Sequence, residues 1–263
     1  MSTYETVIFE RDAGVATITI NRPKAANTIN RQLFKDMNAV LDELEDDVET
    51  QVVMLTGAGD RHFCGGADLR EAGKDLGSKT MKSPGQDFIS RFETIPQVVI
   101  AVINGAAMGG GCEIAIACDF RFMAAKAKIG VPEILFGALP AGGGTQRLPR
   151  IVGVARAKEL VLTGRHLTAQ EAENIGLITR AVAGADLMDE ARAFAAHLAD
   201  LPSFAVRTGK MLTGKALEMD LATGLAFERR TILNMATREE MQAAQAKAMA
   251  KNPTYDNIFS KSS

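Results

Sequence analysis

Two acidic residues stand out because each sits among glycine or apolar neighbours, where an ionised carboxylate is costly. Glu113 lies in the stretch Asn104 to Asp119, NGAAMGGGCEIAIACD, in which Gly109, Gly110 and Gly111 immediately precede an apolar run of helical character. The first N–H groups of a helix have no intrahelical partner and occupy the positive end of its dipole, so they can stabilise a developing oxyanion. Glu113 falls in the first turn of that helix. A second glycine cluster, Phe63-Cys64-Gly65-Gly66-Ala67-Asp68, follows an apolar strand and offers another backbone donor at Ala67. Two such donors are what an oxyanion hole requires. Glu133, in Gly130-Val131-Pro132-Glu133-Ile134, is flanked by apolar residues. Partial burial there raises its pKa by desolvation and lets it exchange protons near neutral pH. A plainer account stays open at this point: the glycines permit close packing, Glu113 complements a helix dipole, and Glu133 opens a helix after Pro132.

Other chemistries lack their signatures. The sequence has neither G-x-x-x-x-G-K-[ST] nor G-x-G-x-x-G, which removes the main support for nucleotide phosphotransfer or dinucleotide binding. There is no H-E-x-x-H, and His62, His166 and His197 have no second ligand at metal spacing, so no metal site is expected. G-x-S-x-G is absent as well. The cysteines Cys64, Cys112 and Cys118 are odd in number and lack C-x-x-C spacing, against both a disulfide framework and structural zinc. Cys112 and Cys118 read as small buried hydrophobes, and Cys64 adjoins the glycine loop.

The elements that must position these groups are legible as alternating strands and helices. Thr6 to Glu10 and Gly14 to Ile20 read as a hairpin turning at Arg11-Asp12-Ala13-Gly14. Leu33, Phe34, Met37, Val40, Leu41 and Leu44 recur at helical spacing within Arg31 to Asp46, capped by Asn30. Val52 to Thr56 and Val98 to Ile103 are continuous apolar runs ending in glycine turns, the pattern of strands buried on both faces of a parallel sheet. Arg70 to Gln86, with Lys74, Lys79 and Lys82, reads as a mobile loop or short helix near a site mouth. After Phe120 to Ala124 the chain reads as predominantly helical: Ala155 to Leu162, a capping box at Thr168 and Glu171, Leu187 to Leu198, and a long run from Ser203. The best boundary is Asp200-Leu201-Pro202-Ser203, dividing a core of residues 1–200 from a helical region of 201–263.

The 263 residues, 46% of them apolar, suffice for a large core. A net charge of −2, from 30 basic and 32 acidic residues, gives no field of the kind that draws nucleic acid. The N-terminus lacks the basic start and apolar stretch of a signal peptide, and no window is long enough to span a bilayer, so a soluble, cytoplasmic protein is expected.

Phe63 to Asp68, Gly109 to Asp119 and Pro132 to Arg147 together resemble the enoyl-CoA hydratase/isomerase, or crotonase, family, over about residues 5 to 235. Asn21-Arg22-Pro23-Lys24-Ala25-Ala26-Asn27 is similar to that family's N-R-P-[KE]-x-x-N segment, and Leu162-Thr163-Gly164 through Ala172, Gly176 and Leu177 to its L-T-G and A-x-x-x-G-L segments. The resemblance implies an α/β fold: a spiral of β-β-α repeats forming two roughly perpendicular sheets, with C-terminal helices that mediate a trimer or a hexamer made of two trimers. It implies oxyanion-hole amides at Ala67 and Gly110, with Gly109 beside them. Ala67, Asp68, Leu69 and Arg70 would border the bound thioester and adenine, and Lys24 and Ala26 would line the CoA phosphates and pantetheine. No separate cofactor is implied, since CoA is part of the substrate, and neither nucleic acid nor membrane is an expected partner.

Glutamate at both acidic positions resembles the hydratases of the family, which add water across the 2,3 double bond of a trans-2-enoyl-CoA in fatty-acid or related degradation. The expectation is that Glu113 activates water for attack at Cβ and Glu133 protonates Cα. The rivals on the same scaffold are a double-bond isomerase, which needs one proton-shuttling acid, or a thioester hydrolase or decarboxylase. A noncatalytic RNA-binding member would need a basic surface helix, whereas the Leu33 to Leu44 helix carries Asp36, Asp42 and Glu43. The chain departs from the family's E-G-x-x-A-F-x-E-K-R ending at Glu239 to Gln245, where Ala244 replaces the aromatic, which leaves acyl-chain preference open.

Overall fold

The computed structural model describes residues 4–72 and 84–251. β1 (Val7–Asp12) and β2 (Val15–Ile20) form the expected hairpin. Ala13 and Gly14 both take left-handed backbone angles, which suits the tight turn whose twist matches the strands, and β1 runs on to Asp12 as a result. A 3₁₀ turn at Pro23–Ala25 leads to α1 (Arg31–Glu45), whose Asn30 side chain accepts from the Leu33 N–H. Leu33, Met37, Val40, Leu41 and Leu44 face the core as the spacing predicts. Asp36 departs from the surface role expected of it. It is buried and accepts from the backbone N–H and hydroxyl of Thr6, bonds that hold it ionised below the usual carboxylate range despite burial.

The chain then coils. β3 (Val52–Gly57) is followed by β4 (His62–Cys64) and α2 (Leu69–Ala72); α3 (Pro84–Thr94), β5 (Val98–Ile103), β6 (Ala106–Met108) and α4 (Gly110–Ala117) come next; then β7 (Phe120–Ala124) and β8 (Lys128–Gly130). Each turn places one strand in each of two sheets. One sheet has the order β1-β2-β3-β5-β7-β10 and the other β4-β6-β8-β9, where β9 is His166–Thr168 and β10 is Arg180–Val182. Every pairing in the larger sheet except β1 with β2 is parallel, and β3 and β5 are buried along their whole length, which is why they read as unbroken apolar runs. β4 packs on β3 and β5 and so joins the sheets.

The region after β7 is less purely helical than its sequence suggests, because β8, β9 and β10 are three-residue strands. Strands that short lack enough alternation to register as periodicity. A 3₁₀ turn (Pro132–Phe136), α5 (Gly144–Val152), α6 (Val154–Thr163) and α7 (Ala169–Asn174) intervene, the last opened by the expected capping box of Thr168 and Glu171. α8 (Leu187–Ala199) lies on β2, β3, β5 and β7. Of the loop expected over Arg70 to Gln86, the ends are helical in α2 and α3, while residues 73–83, with Lys74, Lys79 and Lys82, lie outside the described residues.

α9 (Ser203–Gly214), α10 (Leu221–Ile232) and α11 (Arg238–Lys251) complete the described chain. α9 is fastened to the core by Lys210, whose Nζ lies 2.8 Å from Asp119 Oδ2 and donates to the carbonyls of Phe92 and Gln97. α9 and α10 contribute no buried residue, and Met211, Leu221, Leu225, Ile232 and Leu233 are exposed. A cavity of about 820 Å³ lies between α9 and the core, lined in part by Ile95, Ile116, Ile151 and Met211. Among the described residues no helix is long and apolar enough to cross a membrane.

Candidate active site

Strand register assembles the site. In the smaller sheet β4, β6 and β8 run parallel, with Cys64 opposite Ala107 and Met108 opposite Gly130. Three residues beyond Cys64 stands Ala67, three beyond Ala107 stands Gly110, and three beyond Gly130 stands Glu133. Ala67 and Gly110 stand at equal offsets from the paired Cys64 and Ala107, and Glu133 stands one residue further from Ile129, the other partner of Ala107, so all three fall just beyond the carboxyl ends of adjacent strands, where groups in parallel sheets converge.

The two amides are neighbours. A Cβ placed on Gly110 would lie 3.7 Å from the Ala67 nitrogen and 3.1 Å from Ile29 Cδ1. Gly110 opens α4, so its N–H has no intrahelical acceptor. Ala67 is bridged to Ile29 through its flanking residues, Gly66 accepting from the Ile29 N–H and Asp68 donating to the Ile29 carbonyl. Neither the Ala67 nor the Gly110 N–H donates to an acceptor among the described residues.

Glu133 opens its 3₁₀ turn behind Pro132, as the helix-start account predicts, yet it also meets Gly109. Gly109 has φ of +54°, and a Cβ there would lie 2.9 Å from Glu133 Oε1, so backbone angle and space both require glycine. Glu133 Oε2 is enclosed and has no hydrogen-bond partner among the described residues. Desolvation raises this carboxyl above the ordinary glutamate value, as expected for an acid in apolar surroundings.

Glu113 is 4% exposed. Its pKa is pushed up to about 7, chiefly by burial and further by the charge of Glu133. Opposing this, the Gly144 N–H donates to Glu113 Oε1 at 2.8 Å, the Gly142 backbone lends a further hydrogen bond, and the Arg147 guanidinium adds positive charge. Two carboxyls in mutual electrostatic contact, both biased toward accepting protons, thus share the end of α4 that carries the free Gly110 amide.

The glycines that cradle Glu113 are the residues sequence reasoning passed over. The run Gly142-Gly143-Gly144 was visible, but nothing in its spacing tied it to Glu113, some 30 positions earlier. A Cβ on Gly142 would lie 2.7 Å from Glu113 Oε2, and one on Gly144 would lie 3.1 Å from Oε1.

The remaining candidates lie on or just after the loop that carries Ala67, or on the Asn-Arg-Pro segment. Asp68 is buried and ion-paired to Arg22 at 3.1 Å, which holds its carboxyl below the usual range. Its carboxylate also accepts from the Arg70 N–H. Leu69 is 70% exposed, and Lys24 and Arg70 are exposed. Ala26 and Asn27 take left-handed angles; the Ala26 carbonyl accepts from the Gly65 N–H, and the buried Asn27 bonds Arg22, Ala58 and His62 backbone groups. The Asn-Arg-Pro segment thus packs against the loop carrying Ala67. All three cysteines are free and buried; burial raises the Cys64 thiol to about 12, so Cys64 too is a packing residue. None of Ala67, Gly110, Glu113 or Glu133 lines the cavity beside α9.

A strand-coiled fold with two carboxyls beside two free amides defines an acyl-transfer or enolate class of site. The sequence model of the family described as Enoyl-CoA hydratase/isomerase matches residues 10–255, and the chain belongs to that family. It is 38% identical over 248 residues to a short-chain-enoyl-CoA hydratase of Clostridium acetobutylicum, covering 93% of this chain and 95% of that protein. It is 34% identical over 246 residues to a crotonyl-CoA hydratase of Syntrophomonas wolfei, covering 92% and 95%. The crystal structure of an enoyl-CoA hydratase from Bacillus anthracis superposes with a TM-score of 0.87 at 36% identity, covering 95% of this chain and 99% of that one.

Proposed function

We propose that the chain is a hydro-lyase that adds water across the 2,3 double bond of a trans-2-enoyl-CoA, giving a 3-hydroxyacyl-CoA in acyl-CoA degradation. The observation that carries this reading is the convergence of the unpartnered Ala67 and Gly110 amides with Glu113 and Glu133 at the ends of β4, β6 and β8. The thioester oxygen accepts from the two amides, which polarises the conjugated system and stabilises the enolate. Ionised Glu113 takes a proton from water as its oxygen bonds to Cβ. Electrons move to the thioester oxygen and return as Cα takes a proton from Glu133. The proton gained by Glu113 and the one lost by Glu133 balance, and the carboxyls re-equilibrate between turnovers. A raised pKa suits proton exchange at both carboxyls, with Glu113 poised near neutrality. The relatives named as enoyl-CoA hydratases support the same reaction. An isomerase needs one acid only, so the second carboxyl, Glu113, ranks hydration first.

In this reading Lys24, Ala26, Asp68, Leu69, Arg70 and Gly109 border the CoA moiety, which is part of the substrate, and no resident cofactor takes part. The exposed apolar side chains of α9 and α10 support assembly through the helical region 201–263 into a homotrimer or a pair of trimers, with residues 1–200 as the catalytic core. We assign the protein to the cytoplasm.

The test is hydration of crotonyl-CoA by purified protein, followed by loss of the conjugated thioester absorbance, with Glu113→Gln and Glu133→Gln as controls. Turnover by the parent, reduced on the order of 10³-fold or more in each variant, supports the assignment. Near-parental turnover in either variant with unchanged CoA affinity rules out the two-glutamate mechanism.

A further inference from the structure

Arg147, on α5, takes no part in the chemistry above, yet it is the most fully engaged cation beside the site. Its Nη1 donates to the Gly142 carbonyl at 2.8 Å, its Nη2 to Ser90 Oγ at 3.0 Å, and its Nε to Glu93 Oε1 at 2.8 Å, with a second contact from Nη2 to Glu93 Oε2. The side chain is 13% exposed. It therefore joins α3, which carries Ser90 and Glu93, to the backbone of the glycine run that cradles Glu113.

The fit is tight at both glycines. Gly143 has φ of +113°, and a Cβ there would lie 1.9 Å from Arg147 Nη1. A Cβ on Gly142 would lie 2.5 Å from Ile89 Cδ1 of α3 and 2.7 Å from Glu113 Oε2. The loop is thus pressed between α3 and α4 and tied off by the guanidinium fork. One residue further, the Gly144 N–H holds Glu113 Oε1.

We propose that Arg147 is a positioning residue for the water-activating carboxylate: by anchoring the Gly142 carbonyl to α3 it fixes the Gly144 N–H on Glu113. The guanidinium charge also favours the ionised form of Glu113. The inference rests on the role given to Glu113 above. The charged groups facing Glu113 are Glu133 from the 3₁₀ turn and Arg147 from α5, acting in opposite directions. Beside Glu113 on α4, Cys112 stays neutral because burial raises its thiol. Glu93 reaches Glu113 only through Arg147.

The two contributions separate by substitution. Arg147→Lys retains a charge but cannot span the Gly142 carbonyl, Ser90 and Glu93 together. Arg147→Met removes both. Crotonyl-CoA hydration across pH is the first readout. Arg147→Met is expected to lower kcat tenfold to a hundredfold, on the order of the cost of a misplaced catalytic group, with KM little changed. The acidic limb of its kcat/KM profile should move up by roughly half a unit or more. Arg147→Lys should restore the limb but not kcat. The second readout is independent of turnover: carbon-13 NMR titration of labelled glutamate, in which the Glu113 signal should titrate higher in Arg147→Met. If Arg147→Met destabilises the fold, Ser90→Ala and Glu93→Gln loosen the same fork more gently and should lower kcat in the same direction.

An unchanged titration of Glu113 together with an unchanged pH profile and kcat overturns the inference while leaving hydration intact. Parental protein that fails to hydrate crotonyl-CoA overturns the role of Glu113 instead, and the NMR titration still decides whether Arg147 acts on that carboxyl.

Discussion

Arg22 and Asp68, 46 positions apart, meet across two loops at 3.1 Å, and the same carboxylate accepts from the Thr28 hydroxyl while Arg22 also holds the Thr28 carbonyl. This pair locks the segment preceding α1 onto the turn that displays the Ala67 amide. Asp68→Asn leaves the guanidinium half-buried without its counter-charge. We expect a loss of about 2 kcal/mol in urea unfolding, and a kcat/KM about tenfold lower because the amide drifts. Unaltered kinetics at unaltered stability would show that the loops hold without the pair.

Gly109→Ala places a methyl where the Glu133 carboxylate lies and forces a side chain into a left-handed angle. Strain of this kind costs on the order of 1–3 kcal/mol, and displacement of Glu133 should lower kcat by about 10²-fold. Stopped-flow hydration and a thermal melt on the same preparation check both numbers.

The titration of Glu113 couples folding to pH with a definite sign. Its value rises from 4.5 to about 7 in the fold, so the native chain binds a proton that the unfolded chain has released. The stability from this group is complete below about pH 4.5, declines as pH rises toward 7 and stays low above that. The decline amounts to roughly 3 kcal/mol at most. Glu113→Gln removes it: the variant should melt above the parent at about pH 8, with the gap closing near pH 5. Activity runs the other way, since the base must be ionised, and kcat/KM of the parent should rise through about pH 7.

Lys210 is 8% exposed and Asp119 accepts from the Val99 N–H as well as from the ammonium. Lys210→Met leaves the half-buried Asp119 carboxylate without its ammonium partner, and about 2–3 kcal/mol of stability should be lost. The double substitution Lys210→Met with Asp119→Asn should recover most of it; if it does not, packing of the lysine stem on α9 outweighs the charge.

Lys24 is exposed on the 3₁₀ turn beside Ala26. Lys24→Ala should weaken CoA binding by about fivefold, on the order of 1 kcal/mol, with the deficit shrinking as salt rises. Isothermal titration with CoA at two ionic strengths measures it.

How far the sequence carries can be judged from particular residues. The first hairpin, α1 with its Asn30 cap, and the strands β3 and β5 announce themselves because hydrophobic period and turn chemistry agree. The glutamates and the two donor amides were legible because glycine clusters and an acid among apolar neighbours are costly without a use. β8, β9 and β10 escaped notice at three residues each, and Asp36 passed for a surface charge because its partner Thr6 is 30 positions away. Gly142, Gly144 and Arg147 were hidden for the same reason: their meaning lies in contacts with Glu113 and Glu93 that no local pattern encodes.

The arrangement of β4, β6 and β8 also governs when the site comes into being. Ala67, Gly110 and Glu133 belong to successive turns of the coil, about 40 and about 20 residues apart, and none has its neighbour until parallel strands from separate turns have paired. Closing such loops precedes any energetic return, which makes parallel pairing slow. Catalytic competence should therefore reappear late in refolding, after helical signal has recovered, so that partly folded chains carry secondary structure but no means of handling a thioester.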